Sequence, residues 1–345
     1  MKITGLKLTN FRKLKERKFE FQDSFNIIIG NNGSGKTSLL ESIYITSSGK
    51  SFITNHLPNC ISFNENYFFI ESLYRKNNED ATISFLLGKE KKELRLNGNK
   101  LKGFSEVIGG FPVLLLNYFL SEVVRGSPEN RREYLNHTLI FTDKDYYKEL
   151  LKYYSLLEKR NAHLKVKDPS IDFIKMISEE MVLLSQNIIK KRKSVLEKIQ
   201  FKLPWVFSEI SGERFSVFVE YAPSKIDKLA EDKYILEDIA RKRTLHGIHL
   251  DEISLKVNNI EAREFTSLGE AYSLGFALKF SEKELIYEEI GESPIILIDD
   301  FFSDLDERRR ENVLKILKGE QTFITATSTD FIPGNILSHS KVIIV

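Results

Sequence analysis

The stretch that decides the fold is GNNGSGKT at residues 30–37, and it matches the pattern G-x-x-x-x-G-K-[ST] in full. The preceding residues, FNIII at 25–29, are typical of a buried strand, and TSLLESIY at 37–44 is compatible with a helix. Glycines let successive backbone N–H groups curl around phosphate oxygens, and a helix N-terminus adds partial positive charge there. The stretch therefore predicts a phosphate-binding loop between a strand and a helix.

Two side chains of this loop carry the predicted chemistry. The Lys36 ammonium would reach the β- and γ-phosphates of a nucleotide, and the Thr37 hydroxyl would bind Mg²⁺. A glycine-rich turn that only happens to fit is the competing interpretation, and the flanking strand and helix disfavour it. The glycines also lack the G-x-G-x-x-G spacing of a dinucleotide-binding turn. We therefore predict ATP and Mg²⁺ as the cofactors.

A pair of acidic residues supports this site. The apolar run IILI at 295–298 ends in Asp299 and Asp300. A buried parallel strand presents its functional groups at its carboxyl end, beside the phosphate loop. Asp299 could hold Mg²⁺ through water, and Asp300 could orient or deprotonate an attacking water. Two acidic residues after a strand usually belong to a turn or a helix cap when they occur alone. Because they occur here together with the phosphate loop, we predict Lys36, Asp299 and Asp300 as catalytic residues.

A third element lies at the start of a predicted long helix, from about Gly269 to Ile290. Ser267 and Gly269 would place a second anion site at the N-terminus of that helix. One phosphate loop surrounds one side of a nucleotide, so these residues from a second chain could close over the γ-phosphate. An ordinary helix cap at Ser267 is the simpler alternative.

The organisation of the chain favours an interrupted α/β domain. The 345 residues suffice for two typical domains or for one large domain with an insertion. Strand-like segments and a βαβ rhythm occupy the two ends, whereas a mostly helical pattern begins at Ser127-Pro128. We predict an α/β fold, an ABC-type ATPase head of the P-loop class, formed by residues 1–125 and 245–345. A mostly helical lobe, residues 126–244, interrupts it.

Composition excludes several classes of protein. Lys and Arg total 51 against 49 Asp and Glu, so the net charge of +2 excludes a uniformly basic binder but not a local basic face. A single cysteine, Cys60, excludes an intramolecular disulfide and a cysteine-built zinc site. No apolar stretch is long enough to span a bilayer, and the N-terminus has no secretory signal. A cytoplasmic location without a membrane partner is expected.

Further motifs occur along the chain in the same order as in a known family. In chain order they are LTNFR at 8–12, LLESI at 39–43, GKSF at 49–52, GSPENRREYL at 126–135, RTLHGIHLD at 243–251, SDLD at 303–306 and ITAT at 324–327. Together they resemble the RecF family, bacterial recombination-mediator ATPases related to SMC-type ABC heads. The chain departs from the family pattern at Ile53, at YFLS in residues 118–121, at Ile248 and Leu250, and at Glu270 and Tyr272 of the signature.

The resemblance implies a function and a set of nucleotide contacts. It implies an ATP-dependent homodimer that binds double-stranded DNA at gaps or junctions, hydrolyses ATP weakly with DNA stimulation, and helps RecO and RecR load RecA in replication, repair and the SOS response. It also implies that Arg12 approaches the nucleotide phosphates. The predicted cofactor-binding residues are Arg12, Gly30, Asn31, Asn32, Gly33, Ser34, Gly35, Lys36, Thr37, Ser38, Ser267 and Gly269, with Thr37 and Asp299 as metal ligands.

Any DNA contact must come from local basic clusters, because the net charge is close to zero. The candidates are Arg131, Arg132, Lys190, Lys191, Arg192, Lys193, Arg241 and Arg243. A charged run on a helix is often only a solvated face. No base-reading motif is evident, so backbone contacts with strong salt dependence are expected.

Two other functions stay open at this stage. In the first, the chain is a non-catalytic scaffold in which ATP is a structural switch. In the second, it is another SMC-like repair ATPase, such as an overcoming-lysogenization-type nuclease. The nuclease would need an acidic metal-binding domain after the head, and the sequence ends at Val345, soon after the ITAT motif.

Overall fold

The computed structural model describes residues 1–300, 305–330 and 332–345. Ser303 and Asp304 of the SDLD motif lie outside the described residues. The chain divides into two compact units. The first unit comprises Met1–Ser121, Val206–Glu213 and Ser267–Val345, and the second comprises Glu122–Trp205 and Arg214–Thr266. Within the described ranges, no helix combines the length and the apolar character that a membrane span requires.

The secondary structure groups strands near the N-terminus, helices in the middle of the chain, and both kinds of element after residue 216. The strands are β1 (Lys2–Phe11), β2 (Leu14–Glu20), β3 (Phe25–Ile29), β4 (Tyr67–Lys76), β5 (Glu79–Gly88), β6 (Lys92–Leu96), β7 (Asn99–Leu101), β8 (Val113–Leu116), β9 (Val217–Ala222), β10 (Glu252–Val257), β11 (Ile260–Glu261), β12 (Ile295–Ile298), β13 (Thr322–Ala326) and β14 (Lys341–Ile344). The helices are α1 (Lys36–Ser48), α2 (Phe119–Arg125), α3 (Pro128–Thr142), α4 (Lys144–His163), α5 (Ile171–Ser211), α6 (Asp232–Arg241), α7 (Ala262–Phe265), α8 (Leu268–Ile290), α9 (Glu307–Ile316) and α10 (Gly334–Leu337).

A parallel sheet of five strands carries the motifs of the first unit. Its order is β14-β3-β13-β12-β8, and every neighbouring pair is parallel. Strand β12 is buried along its whole length, as expected for a strand covered on both faces. Because β13 lies between β3 and β12, the carboxyl ends of these three strands meet at one edge of the sheet.

An antiparallel sheet of six strands completes the core of the first unit. Its order is β2-β1-β4-β5-β6-β7. Helix α1 contacts strands of both sheets and is buried on nearly every side. Its apolar residues Leu39, Leu40, Ile43 and Ile45 are part of the core. Asn97 and Gly98, between β6 and β7, both have positive φ, at 50° and 79°. This is the hairpin geometry that the Asn-Gly pair predicts.

The second unit is mostly helical and includes a small three-stranded sheet. Helix α3 begins at Pro128, as the Ser127-Pro128 pair predicts. The Asp143 side chain caps α4 by accepting hydrogen bonds from the backbone N–H groups of Asp145 and Tyr146. Helix α5 is 41 residues long and ends at Ser211. Its residues 206–211, with the two residues that follow, belong to the first unit.

The boundaries of the helical unit differ from the predicted 126–244. This unit begins at Glu122, loses the end of α5 to the first unit, and continues to Thr266. The reason is strand pairing, because β10 pairs antiparallel with β9 along its whole length. Residues 245–266 therefore group with the helical unit in the structure, whereas the sequence predicts them as part of the ATPase head.

Two buried ion pairs join elements within the second unit. The Arg160 guanidinium lies 2.7 Å from the Asp238 carboxylate and also donates to the hydroxyls of Ser178 and Thr244. The Arg192 guanidinium lies 2.5 Å from the Asp251 carboxylate. All four charged side chains are almost completely buried. Such charges persist in an interior only where paired and hydrogen-bonded. The first pair therefore ties α4 to α6, and the second ties α5 to the segment that precedes β10.

Candidate nucleotide-binding site

The phosphate loop is a tight turn between β3 and α1. Gly33 and Gly35 have φ of 77° and 117°, in the left-handed region that favours glycine. A Cβ at position 30 would lie 2.4 Å from the carbonyl oxygen of Val345. A side chain would therefore strain the backbone at Gly33 and Gly35 and would clash with a neighbouring backbone atom at Gly30. Asn31 and Asn32 are exposed at its tip, and Ser38 is half-buried in the first turn of α1.

The inside of the loop contains polar groups suited to an anion. Lys36 is 5% exposed, and its ammonium donates to the carbonyl oxygens of Gly30 (2.8 Å) and Asn31 (3.1 Å). The Ser34 hydroxyl is buried and has no hydrogen-bond partner among the described residues. Buried hydroxyls are normally paired. An unpaired hydroxyl beside an ammonium at a helix N-terminus therefore fits a phosphate chain.

Asp299 joins the phosphate loop to the neighbouring strands. Its Oδ1 atom accepts hydrogen bonds from the hydroxyls of Thr37 (3.1 Å) and Thr325 (2.8 Å). Burial raises the pKa of the Asp299 carboxyl, although the two hydroxyl donors act in the opposite direction. A hydroxyl and a carboxylate are oxygen ligands of the kind that Mg²⁺ prefers. The residues present therefore fit a magnesium ion.

Asp300 follows directly and is exposed. Its φ is 49°, a left-handed conformation that is uncommon for a residue with a side chain. Its backbone N–H donates to the Thr325 hydroxyl at 3.0 Å. The sheet thus places Asp299 and Asp300 directly after β12, and the loop that leads to Lys36 directly after β3. Strand β13 lies between these two strands.

Arg12 is held by a carboxylate on α1. Its guanidinium makes a two-point contact with Glu41, at 2.8 and 2.6 Å, and also donates to the Asn59 carbonyl oxygen. Glu41 is fully buried and also accepts a hydrogen bond from the Ser51 hydroxyl. The bond to Glu41 raises the pKa of Arg12. In this arrangement Arg12 is engaged by Glu41, and its contact with a nucleotide stays a prediction.

Two residues near the loop were missed by sequence reasoning. The exposed Lys13 donates to the Gly33 carbonyl oxygen at 2.9 Å. Its position directly after Arg12, in the turn between β1 and β2, was the available signal. Thr325 contacts both acidic residues. The sequence feature that could have revealed Thr325 was the ITAT motif at 324–327, but no role was assigned to its individual side chains.

Ser267 caps helix α8, as the simpler prediction had it. Its hydroxyl accepts from the Glu270 N–H, while its own N–H and hydroxyl donate to the Glu270 carboxylate at 2.8 and 2.7 Å. These bonds from Ser267 lower the pKa of Glu270. Ser267 is exposed. Among the described residues, no hydrogen bond or ion pair links Ser267 or Gly269 to residues 30–37.

Comparison with known proteins gives the family. A model of the family described as RecF/RecN/SMC N terminal domain matches residues 2–334. The DNA replication and repair protein RecF of Caldanaerobacter subterraneus subsp. tengcongensis is 31% identical, and that of Thermoanaerobacter pseudethanolicus is 32% identical. Each match covers 97% of this chain and 96% of the relative. The chain belongs to the RecF family.

Solved structures agree with this membership. Two of them, described as the recombination mediator protein RecF-ATPrS and RecF-ATP in the RecFOR pathway, superpose on this RecF-family chain with TM-scores of 0.88 and 0.86. Both are 31% identical, and the match covers 96% of this chain and 94% and 93% of theirs. An SmcHead bound to the C-winged helix domain of ScpA has a TM-score of 0.54 at 16% identity, a likeness of fold alone. The predicted fold class, an interrupted ABC-type ATPase head, is confirmed.

The predicted DNA-binding residues differ in exposure. Lys190, Lys193, Arg241 and Arg243 are exposed. Lys191 is half-buried and lies 3.1 Å from the carboxylates of Asp143 and Glu149. The exposed residues are available to a polyanion, whereas Lys191 is already neutralised within its own unit.

Arg131 and Arg192 are corrections to the predicted DNA-binding set. Arg131 is 6% exposed and donates to the backbone carbonyl oxygens of Ile253 and Gly126. Arg192 is 0% exposed and paired with Asp251. The half-buried Arg132 donates to the Asp251 carbonyl oxygen at 2.8 Å. Arg131 and Arg192 hold the second unit together, and neither presents its charge to solvent.

Proposed function

We propose that this RecF-family chain is an ATP-dependent DNA-binding recombination mediator and a weak, DNA-stimulated ATPase. The observation that carries the proposal is the contact of Thr37 and Thr325 with Asp299, which joins the phosphate loop to two neighbouring strand ends. The unpaired Ser34 hydroxyl supports an anionic ligand in the loop. The similar chains described as RecF-ATP and RecF-ATPrS support ATP as that ligand.

The proposed chemistry follows from the side chains at this edge of the sheet. Residues 30–37 bind the triphosphate through backbone N–H groups and the Lys36 ammonium. Thr37 and Asp299 would hold Mg²⁺, which supplies positive charge at the β- and γ-phosphates. Asp300 accepts a proton from the attacking water. In many ABC-type heads a glutamate occupies the position of Asp300. The aspartate here is one methylene shorter, which is consistent with slow turnover.

The second half of the nucleotide-binding site is proposed to come from another copy of the chain. Ser267 and Gly269 lie at the N-terminus of the 23-residue helix α8, and the positive end of a helix dipole favours an anion. Ser267 is exposed. Two copies would then enclose two nucleotides, and ATP would act as the link between them.

Replacing Ser267 by arginine tests whether two copies of the chain share one nucleotide-binding site. The Ser267→Arg variant should bind ATP as a monomer with normal affinity but dimerise at least about tenfold more weakly, because bulk and a lost cap disturb the helix start. Analytical ultracentrifugation with ATP, ADP and no nucleotide measures this, each with and without duplex DNA. Ser267→Ala is the matched control, since it loses the cap without adding bulk. A normal ATP-dependent dimer of the arginine variant would exclude this stretch from the interface.

The DNA-binding part of the proposal rests on exposed basic residues and on the family. Relatives that cover nearly the whole chain are named DNA replication and repair protein RecF, and the similar structures belong to the RecFOR pathway. These names support partners equivalent to RecO and RecR. Loading of RecA at gaps in duplex DNA is what the family resemblance implies. Lys190 and Lys193, one turn apart on α5, are the proposed backbone contacts.

Neutralising these two lysines tests the DNA contact. The Lys190→Gln/Lys193→Gln variant should bind duplex DNA about three- to tenfold more weakly, with a salt slope reduced by up to about two. Fluorescence anisotropy across a salt series measures both quantities. The control Lys100→Gln/Lys102→Gln removes the same charge from two exposed lysines around β7. Equal effects of the two variants would assign the loss to net charge and contradict a contact at α5.

A further inference from the structure

We propose that Thr325 is a positioning residue that holds both acidic residues of the nucleotide site, an inference that rests on the proposed function. Thr325 is 2% exposed, and its hydroxyl lies 2.8 Å from Asp299 Oδ1 and 3.0 Å from the backbone nitrogen of Asp300. It therefore contacts the side chain of one acid and the backbone of the next.

The chemistry of a hydroxyl fits both contacts. A threonine hydroxyl has one hydrogen to donate and lone pairs that accept. The Asp299 carboxylate can only accept, so Thr325 donates to it, and the Asp300 N–H can only donate, so Thr325 accepts from it. The hydrogen bond to Asp299 is charge-assisted and stronger than a neutral one. A serine could make the same two bonds, whereas a valine of similar shape could make neither.

The backbone of Asp300 explains why such an anchor is required. With φ of 49°, Asp300 adopts a left-handed conformation that costs energy for most residues with a Cβ and that aspartate tolerates better than most. This conformation sets the direction in which the Asp300 side chain leaves the backbone, directly after Asp299. The bond from the Asp300 N–H to Thr325 opposes relaxation of the turn.

The topology places Thr325 where it can act on both motifs. Strand β13 pairs with β3 on one side, with Thr325 opposite Ile28. On the other side it pairs with β12 up to Ile324 opposite Ile298. Thr325 is thus the first residue of β13 beyond its ladder with β12, directly beside Asp299. The phosphate loop begins two residues after Ile28.

Three variants separate this role from simple packing. Thr325→Val removes the hydroxyl and keeps the shape, Thr325→Ser keeps the hydroxyl, and Thr322→Val changes a buried threonine of the same strand that contacts neither acid. The first readout is hydrogen exchange of residues 295–300 in the nucleotide-free protein, followed by mass spectrometry. The second is the ratio of ATP affinities measured with Mg²⁺ and with EDTA.

The expected pattern is specific to the valine variant. Thr325→Val should speed amide exchange at residues 299–300 about tenfold and reduce the Mg²⁺-dependent gain in ATP affinity about tenfold or more. Thr325→Ser and Thr322→Val should stay within about threefold of the native protein. Unchanged exchange and an unchanged Mg²⁺ effect in Thr325→Val would overturn the inference. A native protein that binds no ATP would instead refute the proposed function, while the exchange readout would still report on Thr325.

Discussion

Replacing Lys36 by alanine is expected to lower the affinity for ATP by about 100-fold or more. The ammonium is buried inside the phosphate loop and already lies within 3.1 Å of two loop carbonyl oxygens. A hydrogen bond to a charged group contributes about 1.5–3 kcal/mol, and this ammonium would contact two phosphates. Isothermal titration calorimetry with ATP and ADP measures the loss. The ATP-dependent rise in melting temperature should disappear with it, because a ligand stabilises only the state that it binds.

The control for this variant is Lys18→Ala, which removes an exposed lysine of β2 in the same unit. It should leave ATP affinity within about twofold, because an exposed charge away from the ligand is screened by solvent and salt. ATP-dependent dimerisation should fail in Lys36→Ala and persist in Lys18→Ala. A Lys36→Ala protein that still dimerises with ATP would contradict the proposal that two copies enclose the nucleotides between them. The nucleotide would then not be the link between the copies.

The phosphate loop could be predicted because its sequence is dictated by backbone geometry. Gly33 and Gly35 occupy left-handed conformations, and Gly30 is crowded by the carbonyl oxygen of Val345, so few other residues fit there. The apolar run before Asp299 was equally informative, because a strand buried on both faces admits only apolar residues. These local constraints predict the loop, the acidic strand end and their parallel arrangement.

The contributions of Lys13 and Thr325 could not be predicted in the same way. Each depends on a partner distant in sequence, Gly33 for Lys13 and Asp299 for Thr325. No local pattern distinguishes such residues from an exposed lysine or from an ordinary strand threonine. The grouping of residues 252–257 with the helical unit has the same kind of cause, because it depends on their pairing with β9.

The basic run at residues 190–193 shows where charge alone misleads. On one helix turn, Lys190 and Lys193 are exposed, Lys191 is neutralised by two carboxylates, and Arg192 is fully buried. A helix presents successive side chains about 100° apart, so four consecutive charges cannot share one face. The sequence alone did not reveal that Asp251, far along the chain, is the partner of Arg192.

Replacing Asp251 by alanine is therefore expected to destabilise the second unit by about 3–5 kcal/mol, the cost typical of leaving a buried charge without its partner. Asp251 accepts hydrogen bonds from Arg192, from the Tyr221 hydroxyl and from the backbone N–H of Ser224. Urea unfolding of the full chain, followed by circular dichroism, measures the loss. The matched control is Asp232→Ala, which breaks an exposed pair with Lys175 and should cost less than about 1 kcal/mol.

The double variant Arg192→Met/Asp251→Ala decides what the arginine does. If Arg192 is a structural residue, the double variant should be more stable than Asp251→Ala alone, because no buried charge then lacks a partner. Its DNA affinity and salt slope should match those of the native protein, since a side chain with no exposed surface contributes no phosphate contact. A native-like stability of Asp251→Ala would instead mean that Arg192 leaves the interior readily. In that case the whole run at residues 190–193 would again be a candidate DNA-binding surface.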